Sequence, residues 1–308
     1  MEIALQFVLL ALGFVMLGKG ADWFVEGAAG IAMRFGIPQL VIGLTIVAMG
    51  PSAPEAAVSI AAAVKGNADI TIGNIVGSNI LNILVILGLA ASIVPIAVAR
   101  STVRIEIPFM IGVTALLFYQ GRDSSISLAD GGVLMVAFAA YMMYLYTMAM
   151  KSNVDSDLEE PGLPLGRCLL GAVGGLALII AGSNVTVGAA TSIATYAGLS
   201  ERFIGLTIVA LGTSLPELFT SVAAARRGNA DIAIGNIVGS NIFNILFVVG
   251  LSSLIIDIPF ASAFNFDTYV ALGAAVLLWL CVLRTQRLQR WAGALMLMCY
   301  AAYLGYIL

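Results

Sequence analysis

Two glutamates, Glu55 and Glu217, stand in the middle of long apolar runs. An acid at the centre of a spanning helix costs about 2.5–3.5 kcal/mol on insertion scales, which makes each a functional candidate. Each follows a proline, Pro54 or Pro216. Proline inside a helix removes a backbone donor and frees the carbonyl four residues earlier, here that of Gly50 or Gly212. Glycine makes unwinding at that point easier still. A broken helix at membrane depth is tolerated only inside protein or beside a water-filled cavity. Ala48, Ser52, Glu55 and Ser59 follow one another by four, three and four residues, and Ala210, Ser214, Glu217 and Ser221 repeat the pattern. That spacing predicts one lining face in each segment. Asn74, Ser78 and Asn82 lie at i, i+4 and i+8 in the next apolar run, and Asn236, Ser240 and Asn244 copy them. Small polar residues also join helices to one another, so each Ser and Asn is open to both readings.

Every candidate donor is an oxygen: carboxylate, hydroxyl, amide or carbonyl. Such donors select hard cations, Ca²⁺, Na⁺, K⁺ or Mg²⁺, over soft metals. Two carboxylates balance one Ca²⁺ or two Na⁺. Ca²⁺ accepts about 6–8 oxygens in a flexible shell, whereas Mg²⁺ prefers to keep its waters. Competition between Ca²⁺ and Na⁺ for one pair of acids is a direct route to antiport.

These residues must be positioned by a membrane-embedded frame. Of 308 residues, 61% are hydrophobic and 10% are charged, with a mean hydropathy of +1.05. Soluble domains carry about 25% charged residues. The balance of 14 Lys+Arg against 17 Asp+Glu leaves no basic surplus for nucleic acid. The absence of histidine removes His-ligated zinc, a Ser-His triad and a His proton relay. Cys168, Cys281 and Cys299 are scattered through apolar runs and read as packing residues. The chain is expected to be an all-α polytopic membrane protein, not an enzyme, with the lipid bilayer as its main partner.

A spanning helix needs about 20 mostly apolar residues. Ten such runs are expected, near 3–32, 38–64, 69–95, 102–119, 127–150, 164–195, 200–225, 231–256, 265–283 and 290–307. The first is expected to be a retained span, since no signal-peptide pattern precedes it. An acidic, proline-bearing linker at 151–163 divides the chain into five-span halves, 1–150 and 164–308. With the N-terminus outside, the cytoplasmic loops hold ten Lys and Arg and the opposite loops hold only Lys65, Arg122 and Arg202. That bias predicts both termini outside. Asp22 and Glu26, one turn apart in the first run, are open to an ion-entry role, and the favoured expectation is that they sit near one end of that helix and pair with Lys19.

Residues 36–90 match residues 198–252 at a constant offset of 162, with 35 of 55 positions identical. GLTIVAMGPSAPE at 43–55 returns as GLTIVALGTSLPE at 205–217, and GNADITIGNIVGSNILNIL at 66–84 as GNADIAIGNIVGSNIFNIL at 228–246. An odd number of spans per half makes the second copy enter the membrane upside down. Inverted-topology repeats of this kind suit secondary transport, with the site near the midplane where broken helices meet.

At these motifs the chain resembles the calcium:cation antiporter superfamily, and within it the sodium/calcium exchangers of prokaryotic type. GTSLPE at 212–217 and GNIVGSN at 235–241 and 73–79 carry the resemblance. It implies alternate binding of one Ca²⁺ or several Na⁺ between four broken helices, and exchange by alternating access. Glu55 and Glu217 would bind Ca²⁺ and share in Na⁺ binding. Ser52, Thr213, Ser214, Ser78 and Ser240 would add hydroxyls, Ala48 and Ala210 carbonyls, and Asn82 and Asn244 would line the centre. The first and sixth helices would slide against the remaining bundle. The chain departs from the family pattern at Gly50-Pro51-Ser52, where Thr is usual at the middle position, and at Asn82 and Asn244, where one acid is often found. The resemblance implies transported ions rather than cofactors, a monomer, and a place in the plasma or inner membrane. Coupling to K⁺ or H⁺ instead of Na⁺ is the alternative, and a cation channel is a different class sharing some of these ligands.

Overall fold

The structure is a computed structural model and describes residues 2–66, 69–152, 163–198 and 210–307. Most of the expected linker, 153–162, and the first part of the expected seventh span, 200–209, with Arg202, lie outside the described residues.

Long helices form where apolar runs are uninterrupted. These are α1 (Glu2–Phe35), α7 (Leu128–Ser152), α8 (Leu165–Tyr196), α13 (Ala263–Leu283) and α14 (Arg290–Ile307). The expected run 38–64 is not one helix. It divides into α2 (Gln39–Ile42), a π-helical segment Gly43–Val47, and α3 (Ala53–Val64). In the other half α9 (Ala210–Thr213) is followed after Ser214 by α10 (Leu215–Arg226). The next run in each half is α4 (Asp69–Leu81), a π segment Asn82–Leu87 and α5 (Gly88–Ile93), matched by α11 (Ala230–Phe243), a π segment Asn244–Val249 and α12 (Gly250–Ile255). A further π segment, Thr102–Glu106, leads into α6 (Ile107–Gln120). Among the described residues, seven helices are long and apolar enough to cross a membrane by length and composition. The chain is a multi-pass membrane protein.

The fold departs from purely helical in one respect. Two short antiparallel ladders pair the halves: β1 (Ile96–Ala97) with β4 (Arg287–Leu288), and β2 (Ser125–Ile126) with β3 (Ile258–Pro259).

The runs that carry the asparagines, Thr71–Ile93 and Ala230–Ile255, form the buried centre, while α1 and α7 lie at the periphery with most of their surface exposed. Exposed apolar side chains such as Val136 and Leu170 stud the outer helices. Helices in lipid gain nothing by hiding oil from oil, so close packing must hold them. Along α1 and α8 the glycines permit it. A Cβ on Gly20 would lie 2.8 Å from the Gly175 carbonyl oxygen, and one on Gly175 would lie 2.5 Å from the Phe24 nitrogen.

Asp22 and Glu26 do not pair with Lys19. Arg227, just beyond α10, reaches both, with Nε 3.3 Å from Asp22 Oδ1 and Nη1 3.2 Å from Glu26 Oε2. All three side chains are partly exposed, and exposed pairs contribute about 0–1 kcal/mol. Arg227→Ala is therefore expected to lower the thermal midpoint only slightly, and less at high salt than at low salt. Unfolding scans at two salt concentrations check this.

Candidate cation site

The two helix breaks put both glutamates at helix beginnings rather than in helix middles. Ser52 occupies the position before α3, and Pro54 lies in its first turn, where a missing N–H has no intrahelical partner to lose. Ser214 and Pro216 do the same for α10. The first intrahelical bonds match: Ala56 N–H donates to Ser52 O and Leu218 N–H to Ser214 O, each at 3.1 Å. Glu55 and Glu217 fall in these first turns, beside the positive ends of the helix dipoles, where a carboxylate is favoured.

A serine before a helix usually accepts a hydrogen bond from the first turn. Neither serine does so here. Ser52 Oγ instead donates across the molecule to Glu217 Oε1 at 2.8 Å. Ser214 Oγ is buried and has no partner among the described residues. One motif thus delivers its serine to the other motif's acid. Glu55 and Glu217 are 1% and 2% exposed, and their carboxyl groups are near enough to interact electrostatically. Among the described residues no Lys or Arg forms an ion pair with either.

The carbonyls expected to be freed by the prolines are occupied. Gly50 O accepts the Ala53 N–H at 3.2 Å, because the break closes as a tight turn. Gly212 O accepts Ser183 Oγ from α8 at 2.7 Å. The expected single lining face does not survive the break either. Ser59 and Ser221 turn to Asn74 and Asn236, which donate to them at 2.9 and 2.8 Å. The same amides donate to the Glu55 and Glu217 backbone carbonyls at 3.3 and 3.2 Å. Asn74 and Asn236 are therefore tethers that hold the two acidic turns against α4 and α11.

Asn82 and Asn244 are 1% exposed and begin the two central π segments. Their amide N–H groups are spent on the frame, Asn82 Nδ2 donating to Asn241 Oδ1 at 2.9 Å and Asn244 Nδ2 to Asn79 Oδ1 at 3.1 Å. Both Oδ1 atoms remain buried without a donor among the described residues. Asn79 and Asn241, absent from the expected stripe, make the brace between the halves. Each donates to the other's backbone carbonyl, at 3.2 and 3.3 Å. Their signal was the repeated GSN triplet at 77–79 and 239–241.

Ser240 Oγ donates to Ala48 O at 3.0 Å, which joins two expected ligands. Close packing of α11 on the Gly43–Val47 segment makes this reach possible. A Cβ on Gly239 would lie 2.7 Å from Ala48 Cβ and 2.9 Å from the Leu44 carbonyl oxygen. Gly239→Ala is expected to push α11 away and destabilise the protein by about 1–3 kcal/mol, as overpacking does. A lowered midpoint in thermal unfolding checks it. Ser78 is buried on α4, Thr213 is half-buried at the end of α9, and Ala210 begins that helix.

The arrangement is one-sided. The buried atoms left without partners among the described residues are all oxygens, and they include both carboxyl oxygens of Glu55, Glu217 Oε2, Ser214 Oγ, and the Oδ1 atoms of Asn82 and Asn244. A buried acceptor without a donor costs about 1–3 kcal/mol, and more when charged. Hard cations satisfy oxygens of this kind; a hydrophobic or anionic ligand satisfies none of them.

One buried acid escaped the sequence reading. Glu106 is 0% exposed, yet its place beside Arg100 and Arg104 reads as a helix end near the membrane surface.

A family model described as sodium/calcium exchanger protein matches residues 5–147 and 168–308. The CaxA protein of Alkalimonas amylolytica is 41% identical over 314 residues, covering 98% of each chain. Sodium/calcium exchanger MaX1 of Methanosarcina acetivorans is 33% identical over 345 residues, again covering 98% of each. A solved structure of the sodium-calcium exchanger NCX_Mj, soaked with Na⁺ and Sr²⁺, superposes with a TM-score of 0.85 at 33% identity, covering 98% of this chain and 99% of that one.

Proposed function

The chain belongs to the sodium/calcium exchanger protein family, and from that premise we propose that it exchanges Na⁺ for Ca²⁺ by alternating access to one shared site. The observation that carries the reading is that the Glu55 and Glu217 carboxyl groups are buried near each other with no cationic partner among the described residues, and that Glu217 Oε2 and Ser214 Oγ beside them in sequence lack a hydrogen bond among those residues. Glu55 and Glu217 supply the charge that one Ca²⁺ or two Na⁺ balance. Ser52 orients Glu217. Ser214, Thr213, Ser78 and Ser240 add hydroxyl oxygens, Ala48 and Ala210 carbonyls, and Asn82 and Asn244 their amide oxygens at the centre. No cofactor takes part, and a monomer suffices, since both halves of the site come from one chain.

Ten spans arranged as inverted repeats of five, 1–150 and 164–308, fit this reading. The 162-residue offset supports it, as do the equivalent tethers Asn74–Ser59 and Asn236–Ser221. Alternating access follows if the two halves exchange conformations about the asparagine brace. The Lys and Arg distribution supports both termini outside a plasma or inner membrane.

The test is ⁴⁵Ca²⁺ uptake into proteoliposomes with Na⁺, K⁺ or H⁺ gradients imposed separately. A Na⁺ gradient is expected to drive uptake, and the other two are not. Uptake driven only by K⁺ or H⁺ reassigns the coupling ion, and uptake needing no counter-ion favours a channel. A shared site also makes the ions compete. Calorimetric Ca²⁺ affinity is expected to fall steeply as Na⁺ replaces choline at constant ionic strength.

A further inference from the structure

We propose that Glu106, with Thr102, Tyr141 and Tyr144, forms a second cation site, separate from the Glu55–Glu217 chamber, that holds one alkali cation. The π segment Thr102–Glu106 brings Thr102 and Glu106 to one side of the chain, and Trp279 Nε1 pins that segment by donating to Val103 O at 2.9 Å. π segments of this kind are frequent at functional positions. From α7, Tyr144 donates its hydroxyl to Glu106 Oε1. Tyr141, one turn away on α7, stacks on Phe109 with ring centroids 5.3 Å apart, and its phenol lies near enough to the same acid to interact electrostatically.

Three oxygens in this cluster are buried and make no close hydrogen bond among the described residues, Glu106 Oε2, Thr102 Oγ1 and Tyr141 OH, although the Thr102 hydroxyl and the Glu106 backbone N–H both face the carboxyl group. Their residues are 0%, 0% and 4% exposed. Arg104, two residues before the acid, is exposed and forms no ion pair with it among the described residues. Asp231 at the start of α11 is the other acid whose charge reaches Glu106.

The other half of the chain provides an internal control. At the offset of 162, Tyr303 and Tyr306 correspond to Tyr141 and Tyr144, while Thr268 and Phe264 correspond to Glu106 and Thr102. There an acid–tyrosine pair also joins the helices, with Tyr303 OH donating to Asp267 Oδ1 at 2.8 Å. Thr268 Oγ1 is satisfied by Phe264 O at 2.7 Å. Helix joining therefore needs one acid and one tyrosine and leaves no enclosed oxygen behind. The Glu106 cluster keeps the joint and encloses three further oxygens, of carboxylate, hydroxyl and phenol, that make no close hydrogen bond among the described residues. Carboxylate, phenol and hydroxyl are hard donors, which select an alkali or alkaline-earth ion over a soft metal. One carboxylate among neutral hydroxyls balances a single positive charge, which points to Na⁺ or K⁺ rather than to a divalent ion.

The site is independent of the exchange reading, so its test starts from Glu55→Gln/Glu217→Gln, which removes the central acids. Thermal unfolding of that purified variant is followed in NaCl, KCl and choline chloride at equal ionic strength. Na⁺ or K⁺, but not choline, is expected to raise the midpoint, and the difference between the two names the ion. Adding Glu106→Gln is expected to abolish the rise, while Gln can still accept the Tyr144 hydrogen bond. Adding Tyr141→Phe, which leaves the acid in place, is expected to weaken the apparent cation affinity by a few-fold to about tenfold, the worth of one neutral polar contact. The proposal is overturned by a rise equal in choline, by no rise at all, by a rise that survives Glu106→Gln, or by a midpoint that follows pH and ignores the cation. Should Glu106→Gln not fold, Tyr141→Phe and Thr102→Val decide: cation affinity unchanged in both overturns the site.

Discussion

Glu55→Gln is expected to abolish Ca²⁺ exchange while the chain still folds and inserts, and Glu217→Gln to do the same. Each substitution keeps the side chain's shape and removes one negative charge. Insertion should be unharmed or easier, since a buried charge is what the bilayer resists. The loss falls on the ligand. Neither oxygen of Glu55 makes a close hydrogen bond to another side chain among the described residues, so most of its charge is left for the cation. Glu217 gives one oxygen to Ser52 and keeps Oε2 free. A polar contact to a charged group is worth about 1.5–3 kcal/mol, so Ca²⁺ affinity is expected to drop at least about tenfold to a hundredfold. Affinity is read by calorimetry and exchange by ⁴⁵Ca²⁺ flux, with size-exclusion profiles reporting the fold. Parental exchange in either variant removes that acid from the site. A smaller effect is expected for Ser52→Ala, which frees Glu217 Oε1 but leaves both charges in place.

Asn79→Ala is expected to damage both stability and exchange, although Asn79 offers no unpaired oxygen to a cation. Its side chain donates to Asn241 O and accepts from Asn244 Nδ2. Alanine leaves that carbonyl and that amide buried without these partners, at about 1–3 kcal/mol each. Asn244 is then free to rotate, and its Oδ1 is no longer aimed by the bond on the other side of the amide. A lowered unfolding midpoint together with weakened Ca²⁺ binding is the expected pair of results. A variant with native stability and native affinity would show that the two halves are held together elsewhere. Asn241→Ala should behave alike, because Asn241 makes the equivalent bonds to Asn79 and Asn82.

The chemistry of Glu55 and Glu217 was legible in the sequence because a bilayer penalises an isolated acid whatever its neighbours are. The helix breaks were legible for a similar reason. Proline acts on its own backbone, so Pro54 and Pro216 limit where a helix can continue before any tertiary contact forms. The exact repeat spacing added that whatever surrounds one acid has a counterpart around the other.

What each oxygen does was decided by packing. Asn74, Ser78 and Asn82 share one helical face, and periodicity treats them alike. Only the approach of α3 makes Asn74 a tether, and only the brace from the other half takes the Asn82 amide N–H and leaves its Oδ1 over. The Gly212 carbonyl was expected to be free because a local rule knows nothing of Ser183 on α8. Asp22 was assigned to Lys19, three residues away, when its partner was Arg227. Glu106 has no counterpart acid in the repeat and follows Arg104 by two residues, so nothing in the sequence marks its burial, whereas α7 covers it. The sequence by itself determined which residues are costly to bury and where the backbone must bend, since solvation and covalent geometry act residue by residue. Only the tertiary structure decided which polar groups satisfy one another and which are left over for an ion, since a hydrogen bond depends on distance and direction between segments far apart in the chain.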